Sequence, residues 1–338
     1  MMQPAITVAG SRIKPGLQTT VQVPVARLYT YHEMAMPVHV VHGRREGPRL
    51  FLCGAIHGDE IIGTEIIRRL IKLKRLTSIV GTLLAVPVVN IYGFLQQSRY
   101  SPDRRDLNRF FPGSEKGSLT SQLADTVMKE VVQGSTHGID LHAGSNHRAN
   151  LPQIRADIEN PETLRLSKAF KVPVVINART REGSLRHAAT AMGVTPLLYE
   201  AGEVLRFDET AIRAGVRGVI SVMEAFGLLK PNRSKISDID PLIADATSWL
   251  RAPVSGILRM LVPLGARVIK NSKIGVIADP FGMEEMDIRS PVSGMVIGRL
   301  NLPLVHQGDA IIHLAHLERL TGIEPIIEEF KEEITEDS

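Results

Sequence analysis

The chain is predicted to be an α/β protein, a sheet covered by helices on both faces, with a small all-β unit after it. Three observations carry this. From residue 48 to about residue 228, short β-branched and aliphatic runs alternate with longer helix-patterned stretches, as in a sheet whose connections are helices. A polar, proline-containing stretch at residues 229–241 then interrupts the pattern, and the chain beyond residue 241 is purely β. Finally, that last part echoes itself: Arg251-Ala252-Pro253-Val254-Ser255-Gly256-Ile257 returns as Arg289-Ser290-Pro291-Val292-Ser293-Gly294-Met295.

In chain order, residues 1–49 read as short β segments. Val21-Gln22-Val23-Pro24-Val25 and Pro37-Val38-His39-Val40-Val41 are β-branched or alternating, with glycines bounding them. The alternation begins with RLFLCGAI, then EIIGTEIIRRLIKLKRL, then GTLLAVPVVN. It continues through TSQLADTVMKEVVQ, HGIDLHA, PETLRLSKAFK and VPVVINA. The helix near Ile61 is apolar at positions 62, 66, 67 and 70, and basic at 68, 69, 72, 74 and 75, which reads as a buried face and a solvated one. Residues 229–241 read as a linker. In the β part each half-unit leads to a second Pro-Leu, Pro263-Leu264 and Pro303-Leu304. Two such halves imply a small, pseudosymmetric sandwich, each covering the other's apolar face. The acidic end, EEFKEEITEDS, is expected to fray. The division is then 1–240, 246–317 and a tail, 318–338, and a length of 338 residues suits more than one core.

Composition excludes several classes of function. Lysine and arginine number 40 against 36 acids, and there is neither a basic block nor an aromatic run, so no nucleic-acid partner is expected. With one cysteine, Cys53, neither an internal disulfide nor a cysteine-based zinc site can form; Cys53 reads as a buried thiol. No apolar h-region comes after the N-terminal residues, and no segment approaches the roughly 20 apolar residues of a membrane span. The default expectation is cytoplasmic, with no membrane partner.

The chemistry lies where apolar runs end. Leu50-Phe51-Leu52-Cys53-Gly54-Ala55-Ile56 stops at His57-Gly58-Asp59-Glu60. Zinc hydrolases hold their metal with three protein ligands and leave a fourth position for water, and two histidines with a glutamate is one such set. His57 and Glu60, three apart, can converge on one ion. Gly138-Ile139-Asp140-Leu141-His142 offers a second strand-end histidine, and open α/β sheets collect ligands at the carboxyl ends of their strands. Asp140 is placed to support His142 from behind, or to cap a nearby backbone donor. Pro196-Leu197-Leu198-Tyr199-Glu200 is a third run ending in an acid, and Glu200 can serve as a base. Asp106-Leu107-Asn108-Arg109 sets an amide beside a guanidinium, a pair suited to a carboxylate, though the motif also reads as a capped helix start. Arg99, Arg104 and Arg105 stand upstream, one of them a candidate to stabilise an oxyanion. His147 reads as a loop histidine. Each piece alone is commonplace; their order, each after a strand, is not.

These four motifs resemble the succinylglutamate desuccinylase/aspartoacylase family of zinc carboxypeptidase-like hydrolases over residues 35 to 225. The resemblance implies a mixed sheet of that type, one zinc ion on His57, Glu60 and His142, and Glu200 as general base. It implies Asn108 and Arg109 at a substrate carboxylate. Arg99 fits the oxyanion role, with Arg105 as the alternative and otherwise a further substrate-binding group. The reaction implied is cleavage of a small N-acyl amino acid to a carboxylate and a free amine. A carboxypeptidase acting on peptide C-termini, or a binding protein that keeps only the fold, are the competing readings. The basic loop favours an anionic substrate, and the apolar β surfaces permit a homo-oligomer. The C-terminal part resembles the barrel-sandwich fold of biotinyl and lipoyl carrier domains. Its expected hairpin tip, Asp279-Pro280-Phe281-Gly282-Met283-Glu284-Glu285-Met286, has no lysine to modify, which excludes a carrier role and leaves a wall over the site that limits substrate size.

Overall fold

The structure is a computed structural model that describes residues 2–232, 239–317 and 320–336. Residues 233–238 of the expected linker, and 318–319 and 337–338 of the tail, lie outside the described residues.

Ten strands make the backbone of the fold. They are β1 (Gln18–Arg27), β2 (Glu33–His42), β3 (Arg45–Gly54), β4 (Val80–Val86), β5 (His137–Gly144), β6 (Arg148–Ala156), β7 (Thr195–Glu203), β8 (Ala246–Arg251), β9 (Gly294–Leu300) and β10 (Ala310–His316). They lie side by side in the order β8-β10-β9-β6-β7-β5-β3-β4-β2-β1 within a mixed sheet of thirteen described strands. The four at its centre, β7-β5-β3-β4, are parallel, and the flanking pairs are antiparallel. Parallel strands are covered on both faces, which explains the unbroken apolar run Leu50-Phe51-Leu52-Cys53 in β3, every residue of it buried. Cys53 is a core thiol whose pKa burial pushes far up.

Helices cover both faces. α1 (Ile62–Leu70), α3 (Pro161–Ala169) and α5 (Glu209–Ala225) close one core, in which Ile62, Ile66, Ile67 and Leu70 form the apolar stripe of α1. α2 (Leu119–Val127) and α4 (Leu185–Ala191) close the other with Leu123, Val127 and Leu185. Each fully buried aliphatic side chain contributes about 1.5–3 kcal/mol. The basic side of α1 faces solvent, where Arg68 and Arg69 pair with Glu65 and Arg69 with Glu209.

The C-terminal part is all β, but it is joined to the main sheet rather than hung beside it. β9 pairs antiparallel with β6, Gly298 opposite Asn150 and Leu300 opposite Arg148, so the sheet crosses the boundary expected near residue 246. A separate four-stranded sheet, containing Gly256–Met260 and Lys273–Ala278, packs over it around Leu258, Ile274, Ile277, Ile312 and Leu314. The acidic end expected to fray, residues 328–338, is instead helical as far as residue 336, in α6 (Ile323–Glu336). Ile323, Ile327, Phe330 and Ile334 recur at helical spacing and are buried, Phe330 and Ile334 against Ala214 and Ile239. The density of acids on the outer face hid that stripe.

No helix of the described residues is long and apolar enough to cross a membrane.

Candidate active site

The site is assembled at the carboxyl ends of β3, β5 and β7. Beyond β3 the chain must turn sharply. Ala55 takes φ 50°, a conformation that costs a non-glycine residue about 1–2 kcal/mol, and the Asn90 N–H holds it by donating to Ala55 O at 2.9 Å. No Cβ would fit at Gly58, which lies against the backbone of Gly93, and one at Gly63 would fall 2.8 Å from the Leu141 side chain. These close approaches bring the His57–Glu60 turn, closed by Glu60 N–H to His57 O at 3.0 Å, against the end of β5. Glu60 therefore sits in the turn ahead of α1, not in the helix.

His57, Glu60 and His142 converge, all buried, each offering a donor atom within 4.8 Å of the others. Glu60 Oε1 lies 2.7 Å from His57 Nδ1, and Oε2 lies 2.8 Å from His142 Nδ1. The other nitrogen of each ring is backed by a carboxylate, His142 Nε2 by Asp140 at 2.7 Å and His57 Nε2 by Asp106 at 3.1 Å. Burial opposes charge on Glu60, yet the two imidazoles outweigh it and hold its carboxyl well below the usual range. The same contest raises His142, where burial pushes down and Asp140 and Glu60 push up harder. Asp106 is likewise held low against burial by His57 and Arg99.

The donor set fits a metal ion. Two imidazole nitrogens facing one carboxylate suit zinc, and a carboxylate behind each ring fixes its orientation and raises its basicity. Asp140→Asn is expected to weaken zinc binding by about 10–100-fold without unfolding the chain, as measured by competition with a chromophoric chelator. Unchanged affinity would make Asp140 a packing residue only.

The triad opens on a cavity of about 510 Å³ lined also by Arg99, Asn108, Arg109 and Glu200. Glu200, opposite His142 in register, is held by Asn150 Nδ2, which donates to its Oε2 at 2.6 Å. Asn108 Oδ1 accepts from the Leu185 N–H at 2.9 Å, which turns its amide across the pocket wall. Arg99 donates to Glu60 and to Asp106, at 3.0 Å each. Arg104 and Arg105 are exposed and away from the cavity, Arg105 lying over the Phe110 ring instead. Asp106 caps the Asn108 N–H at 2.9 Å, as a capped start would, and also supports His57, a role the sequence did not suggest. His147 bonds Glu203, tying its loop to the end of β7.

Sequence reading missed Asn150, Arg155, Arg186, Trp249 and His313, all of which line the cavity. Asn150 and Arg155 belong to β6, whose motif-free sequence gives no local signal. Trp249 and His313 come from β8 and β10, more than a hundred residues beyond His142.

Fold and site together place the chain among mixed α/β proteins that gather a His–Glu–His set at the carboxyl edge of a parallel core. Residues 46–226 match the succinylglutamate desuccinylase/aspartoacylase catalytic domain, and the chain belongs to that family. It is 27% identical over 301 residues to an N-alpha-acetyl-L-2,4-diaminobutyric acid deacetylase of Halomonas elongata, a match covering 85% of this chain and 87% of the relative. Its fold matches the product-bound ectoine utilization protein EutE (DoeB) of Ruegeria pomeroyi with a TM-score of 0.79 at 23% identity, over 89% of this chain and 94% of that one. An aspartoacylase family protein of Mesorhizobium loti matches with a TM-score of 0.77 at 24% identity, over 90% and 96% of the two chains.

Proposed function

We propose that this chain is a zinc-dependent amidohydrolase that cleaves small N-acyl amino acids to a carboxylate and a free amine. The observation that carries the reading is the meeting, in one cavity, of the His57–Glu60–His142 set with Glu200 and with Asn108–Arg109. Membership of the family and the deacetylase activity named for the Halomonas relative support it.

Zinc bound by the triad would supply a Lewis acid for the amide carbonyl and bring the pKa of water down to roughly 7. Glu200 takes the proton from the attacking water as the new C–O bond forms, and returns it to the amide nitrogen as the C–N bond breaks. Asn150 keeps the Glu200 carboxylate aimed into the cavity. Arg99, on the cavity wall beside Glu60, offers charge to the oxygen that turns negative. Asn108 and Arg109 hold the α-carboxylate of the amino acid half.

The β8 and β10 side chains Trp249 and His313, stacked with ring centroids 4.3 Å apart, wall the cavity from the C-terminal part, which we read as a barrel-sandwich relative that limits substrate size. Removing residues 246–317 would strip β9 from β6 and expose a sheet edge, so a point change is the cleaner probe. Trp249→Ala is expected to raise kcat/KM for longer acyl chains relative to acetyl; an unchanged ratio would remove the size-limiting role.

The deciding experiment is amine release by zinc-loaded protein from a panel of N-acyl amino acids with short peptides alongside. Release from the acyl amino acids supports the proposal. Release from peptides alone would make the chain a carboxypeptidase, silence on both would overturn the hydrolase reading, and a chain that also takes up no zinc would favour a binding protein.

A further inference from the structure

Asn150 gives Glu200 one amide from β6, and a second amide of the same strand stands nearer to it in register. Gln153 lies directly opposite Glu200 in the antiparallel pairing of β6 with β7. Opposed residues share a face of the sheet, with Cβ atoms about 4.5–5.5 Å apart. The next pair along, Ile154 and Tyr199, turns the other way, into the core closed by α1, α3 and α5. Between Gln153 and Asn150 the register slips, three residues of β6 spanning two of β7. This bulge brings Asn150 round onto Glu200 Oε2 and leaves Gln153 across from the same carboxylate.

Gln153 has 0% of its surface exposed, yet neither its Nε2 nor its Oε1 has a hydrogen-bond partner among the described residues. An amide taken out of water and left unpaired is costly, so such a group in a folded chain calls for an explanation. Its surroundings narrow what can satisfy it. On the far side of β6 its register partner is Val174, buried in an apolar cluster with Met295 and Ile297. Two residues along β6 is Arg155, a donor only, which suits Oε1 but not Nε2. Of the cross-strand neighbours, Glu200 alone offers Nε2 a side-chain acceptor. Asn150 occupies Oε2 of that carboxylate, and Oε1 accepts no hydrogen bond among the described residues. The terminal torsion of a glutamine is soft, so turning the amide toward Oε1 needs no backbone movement. An aliphatic side chain at this position would avoid the cost altogether, so packing alone does not account for the amide.

We infer that Gln153 is a positioning residue for Glu200: in the working site its Nε2–H donates to Glu200 Oε1, so that two amides of β6, one on each oxygen, fix the plane of the carboxylate. This rests on the reading of Glu200 as the base of a deacylase. A single hydrogen bond, from Asn150, leaves the carboxylate free to turn about it. The second stops that turn and aims the remaining lone pair of Oε1 into the cavity, where the proton of the attacking water is taken. Gln153 itself exchanges no proton.

Two readouts on the zinc-loaded full chain test this. The first is the side-chain amide signal of Gln153 in a nitrogen–proton correlation spectrum, identified by its absence from Gln153→Met. Donation to a carboxylate is expected to hold the signal downfield, and Glu200→Ala to return it toward the position of a free amide. The second is kinetic. Methionine has nearly the length of glutamine and no donor, and Gln153→Met is expected to lower kcat for amine release about tenfold or more, with KM and zinc content unchanged. Gln153→Leu should do the same, which guards against a folding defect peculiar to one side chain. The loss should disappear beside Glu200→Gln, where no base remains to be aimed. A signal indifferent to Glu200, a kcat within about threefold of the parent, or a loss that persists in full beside Glu200→Gln would each overturn the assignment. A lower melting temperature with kcat unchanged would make Gln153 a structural residue. A signal that follows Glu200 in a chain that releases no amine would sink the deacylase reading and leave the pairing of Gln153 with Glu200 standing.

Discussion

Glu200→Gln is expected to lower kcat for amine release by about 10²–10⁴-fold, the usual contribution of a positioned general base. Glutamine has the shape of the glutamate it replaces, and its carbonyl oxygen can still accept from Asn150 Nδ2, which holds Glu200 Oε2 at 2.6 Å. What it loses is the ability to take a proton from water and pass it on. KM and zinc content should therefore stay near those of the parent chain, and the melting transition should not fall. A kcat within about threefold of the parent would place the base elsewhere. A fall in zinc content alongside kcat would make Glu200 a support for the metal rather than the base.

His142→Ala is expected to bring zinc, measured by elemental analysis, from about one ion per chain to background, and to abolish amine release. His142 is one of three candidate ligands, and the remaining pair, His57 and Glu60, is too few for a structural or catalytic zinc site. The substitution also strands charge. Glu60 is buried, and without His142 its Oε2 keeps the Ala143 N–H at 3.0 Å as its hydrogen bond. Removing one partner of a buried charged pair costs about 3–5 kcal/mol, so the urea midpoint should drop as well. Treating the parent protein with a chelator gives the matching control: activity should disappear and return with added zinc. Full activity in either the variant or the chelated chain would refute a metal-dependent reaction. Retained zinc in the variant, with activity lost, would replace His142 in the ligand set without touching the rest.

Much of this site was legible in the sequence, because its parts are strand ends. A run such as Leu50–Ile56 announces a buried strand by composition alone, and a histidine or acid at its end is conspicuous because it is polar where the strand pattern predicts a turn. His57, Glu60, His142 and Glu200 all carry that signal, and the structure gathers all four at one edge. Asp106 was visible only as a cap, since nothing local in Asp106-Leu107-Asn108-Arg109 reports that a histidine 49 residues away leans on it. The upstream arginines could not be told apart by spacing: three guanidiniums lie within seven residues, and only the fold turns Arg99 inward and leaves Arg105 over Phe110.

By itself, then, the sequence determined the alternation of strands and helices, the polar residues at the strand ends and the all-β character of the C-terminal part, because periodicity and composition are properties of consecutive residues. Tertiary structure alone decided which strands are neighbours. The pairing of β9 with β6 carried the sheet across the expected boundary, and the pairing of β6 with β7 set Asn150 on Glu200 and Arg155 opposite Leu198. It also set α6 against α5, giving the acidic end an apolar face to bury. These outcomes depend on register between segments far apart in the chain, where a shift of one residue would turn each side chain to the other face of the sheet.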